Sequence, residues 1–160
     1  MQPQHATRIS FAFGFLAWGV VAMLYIWPTL NHLALADAAR PILVLHSFRY
    51  LGLAFLVPGV VSTDLSPAFA RPAAYGDIIT SVLALIALAG LSTGSNIALL
   101  WLFNLWGAGD LLFAFFNGFR LVAARKLLPS HFGAAFYIPT FFVPLLLITH
   151  GLMFAILLRS

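Results

Sequence analysis

The sequence has no cysteine, no glutamate and very few charged residues. The absence of cysteine excludes disulfides, thiolate metal sites, cysteine nucleophiles and covalently attached c-type haem. Only 8% of the 160 residues are charged, whereas 62% are hydrophobic. A water-soluble domain of this composition would expose large apolar patches. The composition therefore predicts an integral membrane protein whose main partner is the lipid bilayer, with no nucleic-acid partner.

Long apolar runs predict an all-α fold with five transmembrane helices in one bundle. A helix needs about 20 residues, at about 1.5 Å each, to cross hydrocarbon roughly 30 Å thick. The runs are too long for β-barrel strands and lack strict alternation. We place the helices at about 9–27, 41–61, 73–91, 96–119 and 136–158, within a single transmembrane domain over residues 1–160.

Prolines and polar residues mark the expected helix ends. Pro28 closes the first run, Pro41 suits the first position of the second helix, and the third helix follows Pro72. The first run is too long for the apolar core of an ordinary signal peptide, so we expect a retained helix. The third helix is expected to end at the polar residues Ser92, Thr93, Gly94 and Ser95.

The basic residues predict the orientation of the chain. They divide between two sides of the bundle, and the richer side is expected to face the cytoplasm. This places the N-terminus in the cytoplasm and the C-terminus outside. The richer side carries Arg8, Arg71, Arg120, Arg125 and Lys126, and the other side carries Arg40 and Arg159.

Polar residues far from any helix end are the candidates for function, because each is costly to keep in hydrocarbon. Arg49 cannot lose its charge and must find an anion or several carbonyls. Asp110 is the deepest carboxylate, so we predict an Arg49–Asp110 ion pair or shared network, completed by His150 and Asn104. The alternative is that these contacts only fasten helices two, four and five together.

Two histidines at similar depth suggest a second use of the bundle. His46 and His150 come from different helices, which is how helical bundles hold b-type haem between two imidazoles. A haem or quinone protein is therefore an alternative, with these two histidines as the ligands if haem is bound. No other metal site is predicted, because no local spacing motif accompanies them.

Three further residues are expected to be structural. Asp77 is predicted in the first turn of helix three, facing the positive end of the helix dipole within reach of Arg71 or Arg120. Pro139 and Pro144 remove two backbone donors near the start of helix five and predict a distortion there. The face of helix three beyond Asp77 predicts close helix packing through its small residues Thr80, Ser81, Ala84 and Ala87.

Four segments carry a family resemblance: HSFRYLGLAFLVPGVV, FARPAAYGD, WLFNLWGAGDLLFA and IPTFFVPLLLITHG. Over residues 46–151 the chain resembles an uncharacterised family of small bacterial inner-membrane proteins. The resemblance implies a five-helix protein of the bacterial inner membrane and no particular activity. It covers the first helix poorly, and it picks out Arg49, Gly76, Asp77, Asp110, Pro139, Pro144 and His150.

These features favour the binding or transport of a small or lipid-soluble ligand at Arg49, Asp110, His150, His46 and Asn104. Besides the redox alternative, the chain could be a membrane-embedded enzyme that acts on a lipid or isoprenoid, with Asp110 and His150 as acid and base. It could also be a structural subunit of a larger membrane complex. A transporter of this size is expected to form a homo-oligomer. Whether the protein is an enzyme stays open at this stage.

Overall fold

The computed structural model describes residues 3–91 and 96–159, and their secondary structure is helical apart from one isolated bridge between Pro58 and Val61. The prediction of an all-α fold is confirmed. Four helices within these ranges are long and apolar enough to cross a membrane. The helices are α1 (Pro3–Leu30), α2 (Leu35–Ser47), α3 (Pro67–Gly90), α4 (Ile97–Ala123) and α5 (Ile138–Leu158).

The second helix differs from its predicted bounds of 41–61. It begins at Leu35, after Ala34 in an extended conformation, so Pro41 lies inside the helix and not at its start. After Ser47 the chain continues as a 3₁₀-helix over Phe48–Leu56. The helix ends at Leu56, because Val57 precedes Pro58 and adopts an extended conformation, and Gly59 then turns the chain with a positive φ of 87°.

The third helix begins earlier than predicted, at Pro67 after Ser66, because proline at the first helical position lacks only an N–H that would be unpaired there. Pro72 therefore lies inside the helix. Asp77 lies well inside it too, which corrects the prediction that it belongs to the first turn. The predicted end at Ser92, Thr93, Gly94 and Ser95 lies outside the described residues.

The fourth helix begins after Asn96, whose side chain accepts a hydrogen bond from the N–H of Leu99 at 3.4 Å. This is a typical N-cap, in which the side chain satisfies a backbone donor that the helix leaves unpaired. The helix continues beyond Arg120, where its end was predicted, as far as Ala123.

Prolines distort α1 and α5 without ending either helix. In α1 the turn Ala22–Ile26 is π-helical, and the helix passes through Pro28 to Leu30. In α5 the π-helical turn Ile138–Phe142 contains Pro139 and is followed by Pro144. The predicted distortion at the start of α5 is therefore present. It takes the form of a widened turn, because proline has no N–H to donate to a carbonyl of the preceding turn.

The helix α3 occupies the centre of the bundle. It packs against α2 and the 3₁₀-helix on one side and against α4 on the other, while α5 packs against α2 and α4. The outer helix α1 packs mainly against α5 and is the least buried of the long helices. The prediction that one face of α3 packs closely is confirmed, since its small residues Thr80, Ser81, Ala84 and Ala87 are all buried.

Backbone hydrogen bonds tie the connections together at the two ends of the bundle. At one end, the N–H of Ser62 donates to the carbonyl of His131 at 3.0 Å, which joins the α2–α3 connection to the α4–α5 connection. At the other end, the guanidinium of Arg159 donates to the backbone carbonyls of Leu30, Asn31 and Leu33. Arg159 therefore caps the C-terminal end of α1 with a cation.

Candidate functional site

The 3₁₀-helix determines which side chains of the second segment face the interior. Its three residues per turn place positions i and i+3 directly above one another. Arg49, Gly52 and Phe55 are its buried residues, and His46 precedes them at the same spacing. Arg49, Gly52 and Phe55 form one ridge that faces α3, whereas His46 contacts residues of α4 and α5. Arg49 is the largest fully buried side chain of the described protein, with 0% exposure.

Two carboxylates from neighbouring helices hold the guanidinium of Arg49. Asp77 Oδ1 lies 2.7 Å from both Nε and Nη2, and Asp110 Oδ2 lies 2.6 Å from Nη2. The predicted Arg49–Asp110 ion pair is confirmed. The predicted partner of Asp77 is wrong, because the earlier start of α3 moves this carboxylate away from Arg71 and Arg120 and onto Arg49.

The remaining nitrogen of the guanidinium bonds to neutral acceptors. Nη1 donates to the carbonyl of Gly107 at 3.2 Å and to His150 Nε2 at 3.3 Å. Because a guanidinium has no acceptor, His150 must accept at Nε2 and carry its hydrogen on Nδ1. That hydrogen is donated to Asn104 Oδ1 at 2.7 Å, and Asn104 Nδ2 donates to the carbonyl of His150 at 3.3 Å. The predicted network role of His150 and Asn104 is confirmed.

Three glycines make room for these side chains. A Cβ at Gly52 would collide with the carboxylate of Asp77, and a Cβ at Gly76 would collide with that of Asp110. A Cβ at Gly107 would lie within 2.6 Å of His150 Nε2. The glycines thus bring their helices close enough for the charged groups to meet. Gly52 and Gly107 were not predicted as site residues from the sequence.

The cluster of Arg49, Asp77, Asp110 and His150, called here the Arg49 cluster, has an excess of negative charge. One guanidinium faces two carboxylates, and the imidazole is neutral, so the formal net charge is −1 when both carboxylates are ionised. Within the described residues, no hydrogen bond reaches the second oxygen of either carboxylate, Asp77 Oδ2 or Asp110 Oδ1. Each Asp side chain is only 11% exposed.

The two histidines lie in direct contact with each other. The ring centroids of His46 and His150 are 4.2 Å apart, and Phe103 packs against both rings. Two imidazoles that share a haem iron must lie on opposite faces of the porphyrin, and this contact leaves no room for one. The residues therefore do not fit a bis-imidazole haem. No group of three or more metal-binding side chains is found in the described part of the chain.

Asp110 and His150, the predicted acid and base, both bond to Arg49 through different nitrogens. Two surface hollows, of about 240 and 200 Å³, lie away from them. The first is lined by Leu33, Leu35, Ile156 and Arg159, and the second by Ile78, Ile79, Val82 and Leu83. The Arg49 cluster therefore lines neither hollow, and its Asp110 is only partly buried.

A family model described as Domain of unknown function (DUF8737) matches residues 6–158. The match includes the first helix, which the resemblance seen in the sequence covered poorly. Neither the comparison with curated proteins nor that with solved structures gives a match.

Proposed function

The chain belongs to the family described as Domain of unknown function (DUF8737), and we propose from the geometry of its site that it is an integral membrane protein that binds a proton at the Arg49 cluster. The observation that carries this proposal is the presence of two carboxylates on a single buried guanidinium. The proposal specifies a proton as the small ligand that the sequence predicts for this site.

The charge of the Arg49 cluster is the first support. An uncompensated charge removed from water costs several kcal/mol, even after relaxation of its surroundings. One proton on either carboxylate neutralises the cluster. It would occupy one of the two free carboxylate oxygens, where no other donor of the described protein reaches.

The close packing around the cluster favours a proton over a metal cation. Calcium takes about six to eight oxygen ligands, and magnesium demands near-octahedral coordination. Here the free oxygens are two, and each carboxylate lies against the Cα of a glycine, at Gly52 or Gly76. A hydrogen atom fits this space without displacing a helix.

Asp110 is the carboxylate that we expect to hold the proton. Asp77 Oδ1 lies within 2.7 Å of both Nε and Nη2 of Arg49, whereas Asp110 contacts Nη2 alone. Charge-assisted hydrogen bonds stabilise the ionised form of a carboxylate. The anion of Asp110 is therefore the less stabilised of the two.

We further propose that five segments cross the membrane, the fifth being α2 together with the 3₁₀-helix. The α-helical part has 13 residues and the 3₁₀ part has 9. At the usual rises the two parts extend about 37 Å, which exceeds a hydrocarbon thickness of roughly 30 Å. The basic residues at the two ends support a cytoplasmic N-terminus and an external C-terminus. The resemblance over residues 46–151 supports a bacterial inner membrane.

Infrared spectroscopy of the purified protein tests the proton site. We expect the wild type at neutral pH to show the C=O stretching band of a protonated carboxyl group, and Asp110→Asn to lack it. Asp37→Asn is the matched control, because Asp37 is exposed and pairs with Arg40 at 3.4 Å. This control should keep the band.

The same variants separate proton binding from a purely structural role. Asp110→Asn leaves one carboxylate on Arg49 and a neutral cluster, so its thermal unfolding midpoint should stay close to that of the wild type. A wild type without the band, combined with a large loss of stability in Asp110→Asn, would mean that both carboxylates are ionised and serve as a helix fastening.

A further inference from the structure

The C-terminal end of α4 carries three exposed cations that have no anionic partner. They are Arg120, Arg125 and Lys126, at the last turn of the helix and directly after it. None of the three forms an ion pair within the described residues, and Asp64, an acidic residue at the same end of the bundle, pairs with none of them. The described protein therefore leaves the positive charge of this end uncompensated.

The guanidinium of Arg120 is oriented by a buried side chain. Its Nη2 donates to Asn117 Oδ1 at 3.2 Å, and Asn117 Nδ2 donates to the carbonyl of Ala68 at 2.7 Å. This carbonyl lacks the usual donor of an α-helix, because residue 72 is a proline without an N–H. The other donors of the Arg120 guanidinium have no hydrogen-bond partner in the described part of the chain, so they are available to a ligand.

The chain turns after α4 in a conformation that suits glycine better than arginine. The N–H of Lys126 donates to the carbonyl of Leu121 at 2.8 Å, and that of Arg125 donates to the carbonyl of Val122 at 3.0 Å. These two bonds form a Schellman motif, whose left-handed position is usually a glycine. Here the position is Arg125, with a φ of 55°. An arginine in this conformation costs free energy that a glycine would not, and a use for its charge would explain its presence.

The surface of α4 that leads to Arg120 is apolar. Phe113 and Phe116 precede Arg120 by seven and four residues, so the three residues lie on one face of the helix. Both phenyl side chains are exposed, at 53% and 68%. Because α4 is long and apolar enough to cross a membrane, this face would contact acyl chains, and the helix end with Arg120 would lie at the level of the lipid headgroups.

We propose that Arg120, Arg125 and Lys126 bind the headgroup of one anionic phospholipid, whose acyl chains lie along Phe113 and Phe116. A guanidinium can donate two parallel hydrogen bonds to the oxygens of one phosphate. The two further cations favour a headgroup with a net negative charge over one that also carries an ammonium group. The apolar face favours a lipid over a free phosphate ion. This site is separate from the proton site and does not depend on it.

Native mass spectrometry of the full chain with equal amounts of phosphatidylglycerol and phosphatidylcholine measures the lipid preference. We expect the wild type to retain one phosphatidylglycerol preferentially. Arg120→Gln and Lys126→Gln should each lower the preference about fivefold, the usual contribution of one cation near a membrane surface. Arg40→Gln is the matched control, because it removes the same charge from the opposite end of the bundle, where Arg40 pairs with Asp37. No preference in the wild type, or an equal loss in Arg40→Gln, would refute the site.

Arg125→Gly separates lipid binding from the stability of the fold. Glycine adopts the left-handed conformation without strain, so this variant should keep or raise the thermal unfolding midpoint in detergent. Its preference for phosphatidylglycerol should nevertheless fall about fivefold. An unchanged preference in Arg125→Gly, Arg120→Gln and Lys126→Gln would mean that these cations only complement the negative end of the helix dipole.

A phosphatidylglycerol with a photoreactive diazirine in its acyl chain tests where the lipid lies. It should label the peptide that contains Phe113 and Phe116 more strongly in the wild type than in Arg120→Gln. Labelling of Val82 and Leu85, which are exposed on α3, should be the same in both proteins. Equal labelling of the α4 peptide in both proteins would overturn the proposed position of the acyl chains.

Discussion

At the scale of single residues, the Arg49 cluster depends on positions that carry no side chain. Arg49 reaches two carboxylates because Gly52 and Gly76 let those carboxylates lie directly on neighbouring backbones. The charged groups and the glycines form one unit, in which a single added methyl group displaces a carboxylate. Such a unit makes the fold sensitive to substitutions that are harmless elsewhere on the same helices.

We expect Gly76→Ala to destabilise the protein by roughly 1–3 kcal/mol, because its Cβ would collide with the carboxylate of Asp110. Gly109→Ala is the matched control, since no atom lies within 4 Å of a Cβ there. It should be neutral, or more stable by up to about 1 kcal/mol through better helix propensity. Thermal unfolding in detergent measures both variants. Equal stability of the two would show that the carboxylate of Asp110 is not fixed against α3.

At the scale of the helix, α1 is attached to the bundle through α5 at a few points. The backbone of Gly14 lies against the carbonyl of Thr140. One turn along, Trp18 Nε1 donates to the carbonyl of Phe141 at 3.1 Å. Both carbonyls belong to the π-helical turn of α5, so the widened turn also serves as the docking site of α1.

We expect Gly14→Ala to weaken the docking of α1, because its Cβ would collide with the carbonyl of Thr140. Gly19→Ala, where nothing lies within 4 Å, is the control on the same helix. Hydrogen–deuterium exchange followed by mass spectrometry should show faster exchange in α1 for Gly14→Ala, with α3 and α4 unchanged. Faster exchange throughout the bundle would indicate instead that α1 is part of the central core.

The sequence predicted the Arg49–Asp110 pair because a buried guanidinium needs an anion and Asp110 is a deep carboxylate. It did not predict the pairing of Asp77 with Arg49, since either Pro67 or Pro72 can begin a helix and only tertiary packing decides between them. The 3₁₀ geometry of Phe48–Leu56 was also missed. Its apolar residues are compatible with an α-helix, and the choice depends on the contacts that Arg49 makes with α3 and α4.

At the scale of the whole molecule, the absence of cysteine allows the number of membrane crossings to be measured without altering a native thiol. His32 and Thr63 are exposed and lie at opposite ends of the segment formed by α2 and the 3₁₀-helix. If this segment crosses the membrane, His32→Cys should react with an impermeant maleimide from the external side of intact cells. Thr63→Cys should react only after the cells are opened.

Labelling of both cysteines from the same side would mean that only the four long helices cross. The segment Leu35–Leu56 would then return to the side of the membrane on which it began. Exclusive reaction of Thr63→Cys from outside and of His32→Cys from inside would preserve five crossings and reverse the proposed orientation.

The length of the 3₁₀-helix is coupled to the rotation of its side chains about the helix axis. If Phe48–Leu56 rewound into an α-helix, each residue would rise about 0.5 Å less and turn about 100° instead of 120°, so the segment would shorten by about 4.5 Å. The ridge that carries Arg49, Gly52 and Phe55 would then spiral away from α3. Any event that shortens the segment must therefore also rotate it, and the rotation withdraws Gly52 from the carboxylate of Asp77.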